Sequence, residues 1–87
     1  MKFHFYSDPG HGWAKVKKSF LVKLGIADKI TTYSYMRGEY AYLEEDCDVT
    51  TLVLNCRAAG IPVIFLEHNA RERRSKIRSY DCYKVSA

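Results

Sequence analysis

Residues 30–43 decide the fold of this chain, and their sequence is Ile-Thr-Thr-Tyr-Ser-Tyr-Met-Arg-Gly-Glu-Tyr-Ala-Tyr-Leu. The two ends of this stretch, 30–35 and 40–43, are rich in β-branched and aromatic residues, which favour strands because they pack well on a pleated surface. Gly38 lies between them and supplies the positive φ angle that a tight turn between antiparallel strands needs. The stretch therefore predicts a β-hairpin whose turn spans residues 36–39.

The segments on either side of the hairpin supply three more strands and two helices. Alternation of apolar and polar residues predicts strands, and apolar residues three and four positions apart predict helices. Asp46 or Asp48 is expected to cap the second helix, and Gly60 to end it. The predicted elements, in chain order, are strands at 2–6 and 13–16, a helix at 17–24, the hairpin, a helix ending at Ala59 and a strand at 61–66.

This order, β-β-α-β-β-α-β, predicts a single α+β domain over residues 1–87. A mostly antiparallel sheet with both helices on one face is the natural packing for it. Residues 67–84 follow the last predicted strand as a basic, tyrosine-containing segment. The length of 87 residues suits one domain, and a hydrophobic content of 47% is typical of a folded one.

The termini and cysteines indicate where such a domain works. The N-terminus, Met-Lys-Phe-His-Phe-Tyr-Ser-Asp, lacks the apolar run of about 7–15 residues that marks a secretory signal. No apolar run approaches the roughly 20 residues of a transmembrane helix, so we expect a cytoplasmic protein without membrane contact. Because the number of cysteines is odd, a closed disulfide framework is not expected. Buried, reduced thiols are expected at Cys47, Cys56 and Cys82.

The net charge of +4 is unevenly distributed along the chain. Residues 1–25 carry five lysines and one aspartate, residues 26–66 carry three basic and six acidic residues, and residues 67–87 carry six basic and three acidic residues. An acidic middle thus separates two basic ends, and this asymmetry favours a charged partner.

The basic segment, residues 67–84, is the strongest candidate for contact with that partner. Interleaved basic and aromatic side chains suit a phosphate backbone or an acidic protein surface. We expect the basic residues to steer the partner and the tyrosines to anchor it. The alternative is a solvated segment whose arginines pair with Glu67, Glu72 or Asp81. The candidate residues are Arg71, Arg73, Arg74, Lys76, Arg78, Tyr80 and Tyr83.

Tyr33 and Tyr35, with Tyr40 and Tyr42 across the turn, form a second group of candidates. Residues two apart on a strand share a face, so each pair is expected to form a row. Either these rows stabilise the hairpin by cross-strand pairing, or they present an aromatic platform to a partner. The chain lacks the Lys/Arg-Gly-Phe type of motif found on RNA-recognition sheets, so a protein partner is favoured over RNA.

Residues 8–12, Asp-Pro-Gly-His-Gly, predict a turn after the first strand, since these residue types are strong turn formers. They also resemble an element of zinc-dependent N-acetylmuramoyl-L-alanine amidases, in which the histidine implies a metal ligand. The resemblance implies only His11 as a ligand here, and a zinc site would need further ligands such as His68. The turn is favoured, and we predict no catalytic residue, cofactor or metal.

Residues 44–48, Glu-Glu-Asp-Cys-Asp, are expected at a helix N-terminus, where the helix dipole favours acidic side chains. An acidic patch that contacts a partner is the alternative interpretation of the same residues.

Four strings spread over nearly the whole chain resemble a family of small proteins encoded by bacteriophages, prophages and other mobile elements. They are Ser-Asp-Pro-Gly-His-Gly-Trp at 7–13, Thr-Tyr-Ser-Tyr at 32–35, Ala-Tyr-Leu-Glu-Glu-Asp-Cys-Asp at 41–48 and Lys-Ile-Arg-Ser-Tyr at 76–80. The resemblance implies a bacterial host cell and no catalytic residues. In that setting, small non-enzymatic proteins often bind and modulate host machinery, including defence systems.

Taken together, these features predict a non-enzymatic accessory protein of a mobile element that binds a host or phage protein. The expected partner is an acidic protein surface or a ribonucleoprotein. Direct DNA or RNA binding by the basic segment is the first alternative, and a zinc-dependent hydrolase centred on His11 is the second. Both a monomer and a homodimer paired through an exposed strand edge agree with the sequence.

Overall fold

The computed structural model describes residues 1–70 and 73–85 of the chain. Its elements, in chain order, are β1 (Lys2–Ser7), β2 (Gly12–Lys17), α1 (Lys18–Leu24), a 3₁₀ helix (Ala27–Lys29), β3 (Tyr35–Arg37), β4 (Tyr40–Glu44), α2 (Asp48–Ala58), β5 (Ile64–Asn69), a second 3₁₀ helix (Lys76–Ser79) and β6 (Asp81–Cys82). The strands form one sheet in the order β5-β1-β2-β4-β3-β6. β5 is parallel to β1, and the other neighbouring strands are antiparallel. The α+β class with a mostly antiparallel sheet, predicted from the sequence, is confirmed.

One face of the sheet, which we name the helix face, is apolar and covered by both helices. Strand alternation places on it the side chains of Phe3, Ala14, Val16, Ala41 and Leu43. Register strengthens the packing, because Ala14 lies opposite Leu43 and Val16 opposite Ala41. Leu21 of α1 and Leu52 of α2 are fully buried against this face. Each such leucine stabilises the fold by about 1.5–3 kcal/mol relative to exposure.

The opposite face, which we name the aromatic face, is covered in a different way. Trp13 and Tyr42 lie on this face, and Ile77 packs on them to form a second, smaller core. Ile77 belongs to residues 73–80, which cross the aromatic face and which we name the strap. The Tyr80 ring lies 5.1 Å from the Tyr42 ring at the far end of the strap. β6 then joins the sheet beside β3.

The hairpin forms at the predicted turn but has a shorter first strand. Arg37 pairs with Tyr40 across Gly38 and Glu39, and Gly38 has a φ angle of +58°. The expected strand over residues 30–34 is wrong, because β3 begins only at Tyr35.

A buried aspartate explains why residues 31–34 are not extended. The Asp48 carboxylate accepts hydrogen bonds from the backbone N–H (3.1 Å) and hydroxyl (2.8 Å) of Thr31. It also accepts one from the Ser34 hydroxyl, which itself accepts from the Glu44 N–H at 2.9 Å. These bonds fasten the loop before β3 to the start of α2, so its backbone turns instead of pairing along a strand.

The expected capping of α2 by Asp46 or Asp48 is therefore wrong. Cys47 occupies the cap position and makes no side-chain hydrogen bond there. Glu44 instead stabilises the turn that leads into α2, since its carboxylate accepts from the N–H groups of Asp46 (3.0 Å) and Cys47 (3.1 Å). The end of the helix is as predicted, with Gly60 at a φ angle of +72°.

The last long strand lies three residues later than predicted, at Ile64–Asn69 instead of 61–66. The Ile61 N–H is used to close the end of α2, where it donates to the Cys56 carbonyl at 2.8 Å. Ile64 is consequently the first residue to pair with β1. The strand therefore extends into the predicted basic segment.

Two further features concern the cysteines and the helices. Cys56 is buried as expected, whereas Cys47 and Cys82 are exposed, so the expectation of burial is wrong for those two. Neither helix in residues 1–70 and 73–85 has the length and apolar character that crossing a bilayer requires.

Candidate binding surfaces

Asp8 fastens the strap to the aromatic face and thereby shapes the surfaces beside it. Its carboxylate is buried and accepts from Arg78 through Nε (2.6 Å) and Nη2 (2.8 Å). It also accepts backbone N–H bonds from Ser75 (2.9 Å) and from Gly10 and His11 (both 3.0 Å). The Arg78 guanidinium, with these N–H groups, holds the pKa of the Asp8 carboxyl far below its usual range, against the opposing effect of burial. Asp8 therefore carries a negative charge at neutral pH and compensates Arg78.

The turn at residues 8–12 is confirmed, and the structure explains both of its glycines. The Asp8 N–H donates to the His11 carbonyl at 2.8 Å, which closes the turn. A Cβ atom at Gly10 would lie 2.7 Å from Nη2 of Arg78, and one at Gly12 would lie 2.5 Å from the Phe5 ring. A side chain at Gly12 would therefore clash with the Phe5 ring on the helix face, whereas one at Gly10 would displace the end of the Arg78 side chain that pairs with Asp8.

The strap covers only part of the aromatic face, and the remaining part is basic. We name this part the basic sheet face. Register places Lys15 beside Tyr42 and Lys17 beside Tyr40, on the same side of the sheet as Trp13. Lys76 of the strap and Lys15 line a common depression with Tyr6 and Tyr80. The basic sheet face consists of Lys2, Lys15, Lys17, Arg37 and Lys76, with His4, Tyr6, Tyr40 and Tyr80 between them.

Two cations of the basic sheet face, Lys15 and Arg37, lie over aromatic rings. The Lys15 ammonium lies 4.2 Å from the centre of the Tyr40 ring, and the Arg37 guanidinium lies 5.0 Å from that of Tyr80. In residues 1–70 and 73–85, Arg78 with Asp8 is the one salt bridge. Cations over rings keep their full charge, so this face presents a positive potential to solvent.

An open pocket of about 350 Å³ lies at the end of the basic sheet face away from the strap. Three lysines, one histidine and aromatic rings converge on it. This combination suits an anionic group with some apolar surface. Its lining residues are Met1, Lys2, Phe3, His4, Lys15, Lys17, Phe20 and Tyr40.

A cluster of three rings borders this pocket. Nδ1 of His4 and Nε2 of His68 are 2.8 Å apart, which is a hydrogen bond between the two imidazoles. Tyr6 stacks on His68 with ring centres 4.8 Å apart and planes inclined by 18°. Both histidines are exposed, so the cluster offers ring surface next to the lysines.

A second pocket, of about 370 Å³, lies on the other side of the strap and is lined by both acidic and basic side chains. Tyr33 and Tyr35 line it together with Glu44, Asp46 and Arg78. Cys47 also lines it. Partial loss of solvent contact at the sulfur, together with the nearby carboxylates of Asp48 and Glu44, raises the pKa of the Cys47 thiol. A thiol kept protonated in this way is a poor nucleophile.

The residues predicted from the sequence as partner contacts separate into four groups. Arg73, Arg74 and Lys76 are exposed, and Tyr33 and Tyr35 line the second pocket together. Three others make contacts within the protein, of which only Tyr83 is fully buried, and Arg71 lies outside the described residues. The engaged residues are Arg78 on Asp8, Tyr80 on Tyr42, and Tyr83, which is buried with its hydroxyl donating to the Ala27 carbonyl at 2.7 Å.

Sequence reasoning missed the lysines of β2 and β1 as candidates. Lys15 and Lys17 are two residues apart on a strand, which places them on one face. That spacing was a usable signal, but which face they share is decided by the register with β4. Lys2 joins them only through the pairing of β1 with β2.

The zinc interpretation of His11 gains no support from its surroundings. His68, the histidine that such a site would need, bonds to His4. Within residues 1–70 and 73–85, no three histidine, cysteine, aspartate or glutamate side chains are arranged to hold a metal ion.

Comparisons of the chain with protein-family models, curated proteins and solved structures gave no match.

Proposed function

We propose that this chain is a non-enzymatic binding module of a mobile element that works in the cytoplasm of a bacterial host. Its basic sheet face contacts an acidic surface of a host or phage protein, or of a ribonucleoprotein. A host defence system is among the targets that such a module would modulate.

The observation that carries this proposal is the gathering of five basic side chains on one open sheet face. They come from β1, β2, β3 and the strap, which are far apart in sequence. Tyr6, Tyr40 and Tyr80 lie among them half-buried, so each ring offers part of its surface while its position is held. Tyrosine rings are enriched in protein interfaces, and cations around them steer an acidic partner towards the contact.

Charge reversal on two sides of the molecule tests the proposal. The protein and two variants are used as bait in host lysate, with and without nuclease, and captured proteins are identified by mass spectrometry. The first variant, Lys15→Glu with Lys17→Glu, reverses charges on the basic sheet face. The control, Lys23→Glu with Lys29→Glu, makes the same change of net charge at α1 and at the 3₁₀ helix after it.

We expect a protein partner that survives nuclease, that the control variant retains and that the first variant loses at least tenfold. Retention by both variants, with the fold intact by circular dichroism, would refute the basic sheet face as the contact. Equal loss in both variants would show that net charge alone drives capture.

Direct binding of single-stranded nucleic acid is the second candidate, because the stacked rings of His4, His68 and Tyr6 border the lysines. Exposed rings beside a basic groove are the means by which such proteins hold bases and phosphates. This candidate predicts affinity for a labelled oligonucleotide that falls steeply as salt rises. Partners that disappear with nuclease would place it ahead of protein binding.

A further inference from the structure

In the part of the chain that the structure describes, β5 has a neighbouring strand on one side only and so forms an edge of the sheet. The Ile64 N–H donates to the Met1 carbonyl at 2.9 Å, and the Ala70 N–H donates to the Ser7 carbonyl at 2.8 Å. Successive N–H groups of a strand alternate in direction, so those of Phe65, Glu67 and Asn69 point away from β1. Among the described residues, no group hydrogen-bonds to these outward positions.

This edge also carries exposed apolar side chains. Ile64 is 54% exposed and Leu66 is 37% exposed, on the strand itself, and Met1 beside them is 50% exposed. Natural edge strands are usually protected by lysine, proline or extreme shortness. β5 has six residues, Ile-Phe-Leu-Glu-His-Asn, with neither lysine nor proline.

We infer that β5 pairs antiparallel with β5 of a second copy of this chain, which joins the two sheets into one. Pairing centred on Phe65 sets Ile64 opposite Leu66 of the second copy, twice by symmetry. Pairing centred on Leu66 sets the two Leu66 side chains together. Both arrangements keep the two Glu67 carboxylates from lying directly opposite, which like charges disfavour.

The geometry favours a closed dimer over a fibre. The other edge of the sheet is β6, which has only two residues and offers little to pair with. A contact of β5 with itself is isologous and closes after two copies. The twofold axis stands perpendicular to the sheet, so the basic sheet faces of both copies lie on the same side. The dimer therefore doubles the surface assigned to partner binding, although the pairing itself does not depend on that assignment.

Sedimentation equilibrium of the whole chain under reducing conditions tests the pairing. Reduction is needed because Cys47 and Cys82 are exposed and could cross-link copies. From about 10 µM to about 1 mM, a range that covers weak association, we expect the mass to rise from 10.1 kDa towards twice that value. Added salt should increase the dimer fraction, because it screens the repulsion between two chains of net charge +4.

Two variants and one control locate the contact. Leu66→Arg places a charge on the exposed edge and should keep the protein monomeric at all concentrations. Glu67→Pro removes an outward N–H but keeps the hydrogen bonds to β1. It should also keep the protein monomeric at all concentrations. Val22→Arg, at an exposed apolar residue on α1, away from β5, should dimerise as the wild type does. A monomer at about 1 mM wild-type protein, or a dimer that Leu66→Arg leaves intact, would overturn the inference.

Discussion

The two faces of the sheet are both covered, but by different physical means. On the helix face, α1 and α2 bury aliphatic side chains such as Leu21 and Leu52, and the stabilisation depends on apolar area. On the aromatic face, the strap is held at one end by the charged Asp8–Arg78 pair and along its length by Ile77 and Tyr80. Helices can pack on a sheet wherever it presents apolar side chains. The strap covers only the part of the aromatic face that lies close to the Asp8–Arg78 pair, Ile77 and Tyr80.

This difference explains why the chain has an open basic surface at all. A third helix over the aromatic face would need apolar side chains at Lys15 and Lys17, and these positions are charged. The strap instead covers Trp13 and Tyr42, borders Lys15 and leaves the pocket around Lys2 and Lys17 open. The aromatic face is thus stable where Asp8 holds the strap and free for contact elsewhere.

Breaking the Asp8–Arg78 pair should have the largest effect on the free energy of unfolding. Asp8→Ala leaves the Arg78 guanidinium without its carboxylate and removes the acceptor of three backbone N–H groups. We expect a loss of about 4 kcal/mol in the free energy of unfolding, measured by urea titration. The emission of Trp13, the single tryptophan, should shift to the red because the strap above it loosens. Asp28→Ala, at an exposed aspartate, is the control and should leave both readouts unchanged.

A cavity between α2 and the helix face should lower the free energy of unfolding somewhat less than the loss of Asp8 does. Leu52→Ala removes buried methyl groups from α2 and should lower the free energy of unfolding by about 3 kcal/mol. Since Trp13 lies on the other side of the sheet, its emission in the folded state should not change. Leu54→Ala, two residues along the same helix and 55% exposed, should cost less than about 0.5 kcal/mol. Equal losses for the two leucines would contradict the assignment of the core.

Lowering the pH should reduce the stability that the Asp8–Arg78 pair gives to the whole fold. The folded pKa of Asp8 lies far below its unfolded value of 3.8, so its contribution to stability is complete above about pH 4. That contribution is lost as pH falls below about 4, towards the folded pKa. Urea titrations between about pH 6 and pH 2 should therefore show a steeper loss for the wild type than for Asp8→Asn. Parallel curves for the two proteins would rule out Asp8 as the titrating group.

Removing charge from the basic sheet face should have the smallest effect on stability. Lys2 and Lys17 are exposed, so Lys2→Ala with Lys17→Ala should change the free energy of unfolding by less than about 0.5 kcal/mol. The same variant should lose affinity for the captured partner, because it removes two cations from the contact. A large loss of stability would mean that these lysines belong to the fold and not to a binding surface.

Local patterns in the sequence were sufficient to predict most of the helices and strands. Alternation at β1, apolar spacing along α2 and Gly38 in the turn each predict structure from neighbouring residues alone. The predictions that were wrong concern residues with a distant partner. Asp48 appeared as a helix cap because its bonds to Thr31 and Ser34 are invisible in the local pattern.

The candidate surface was harder to predict for the same reason. Arg78 was expected to face a partner, yet its carboxylate partner, Asp8, lies 70 residues earlier in the chain. Tyr83 was expected to anchor a partner, but it fills the space beside the helix face and bonds to Ala27. Lys15 and Lys17 were not among the predicted contacts, because only the register with β4 places them among the tyrosines.

The sequence by itself determined the α+β class, the hairpin, the end of α2 at Gly60 and the excess of positive charge. Each of these depends on residue type and on spacing over a few positions, so no knowledge of distant contacts is needed. Only the tertiary structure decided which charges are neutralised, which rings are buried and which lysines share an open face. Those outcomes depend on strand register and on the path of the strap, because they bring together residues far apart in the chain.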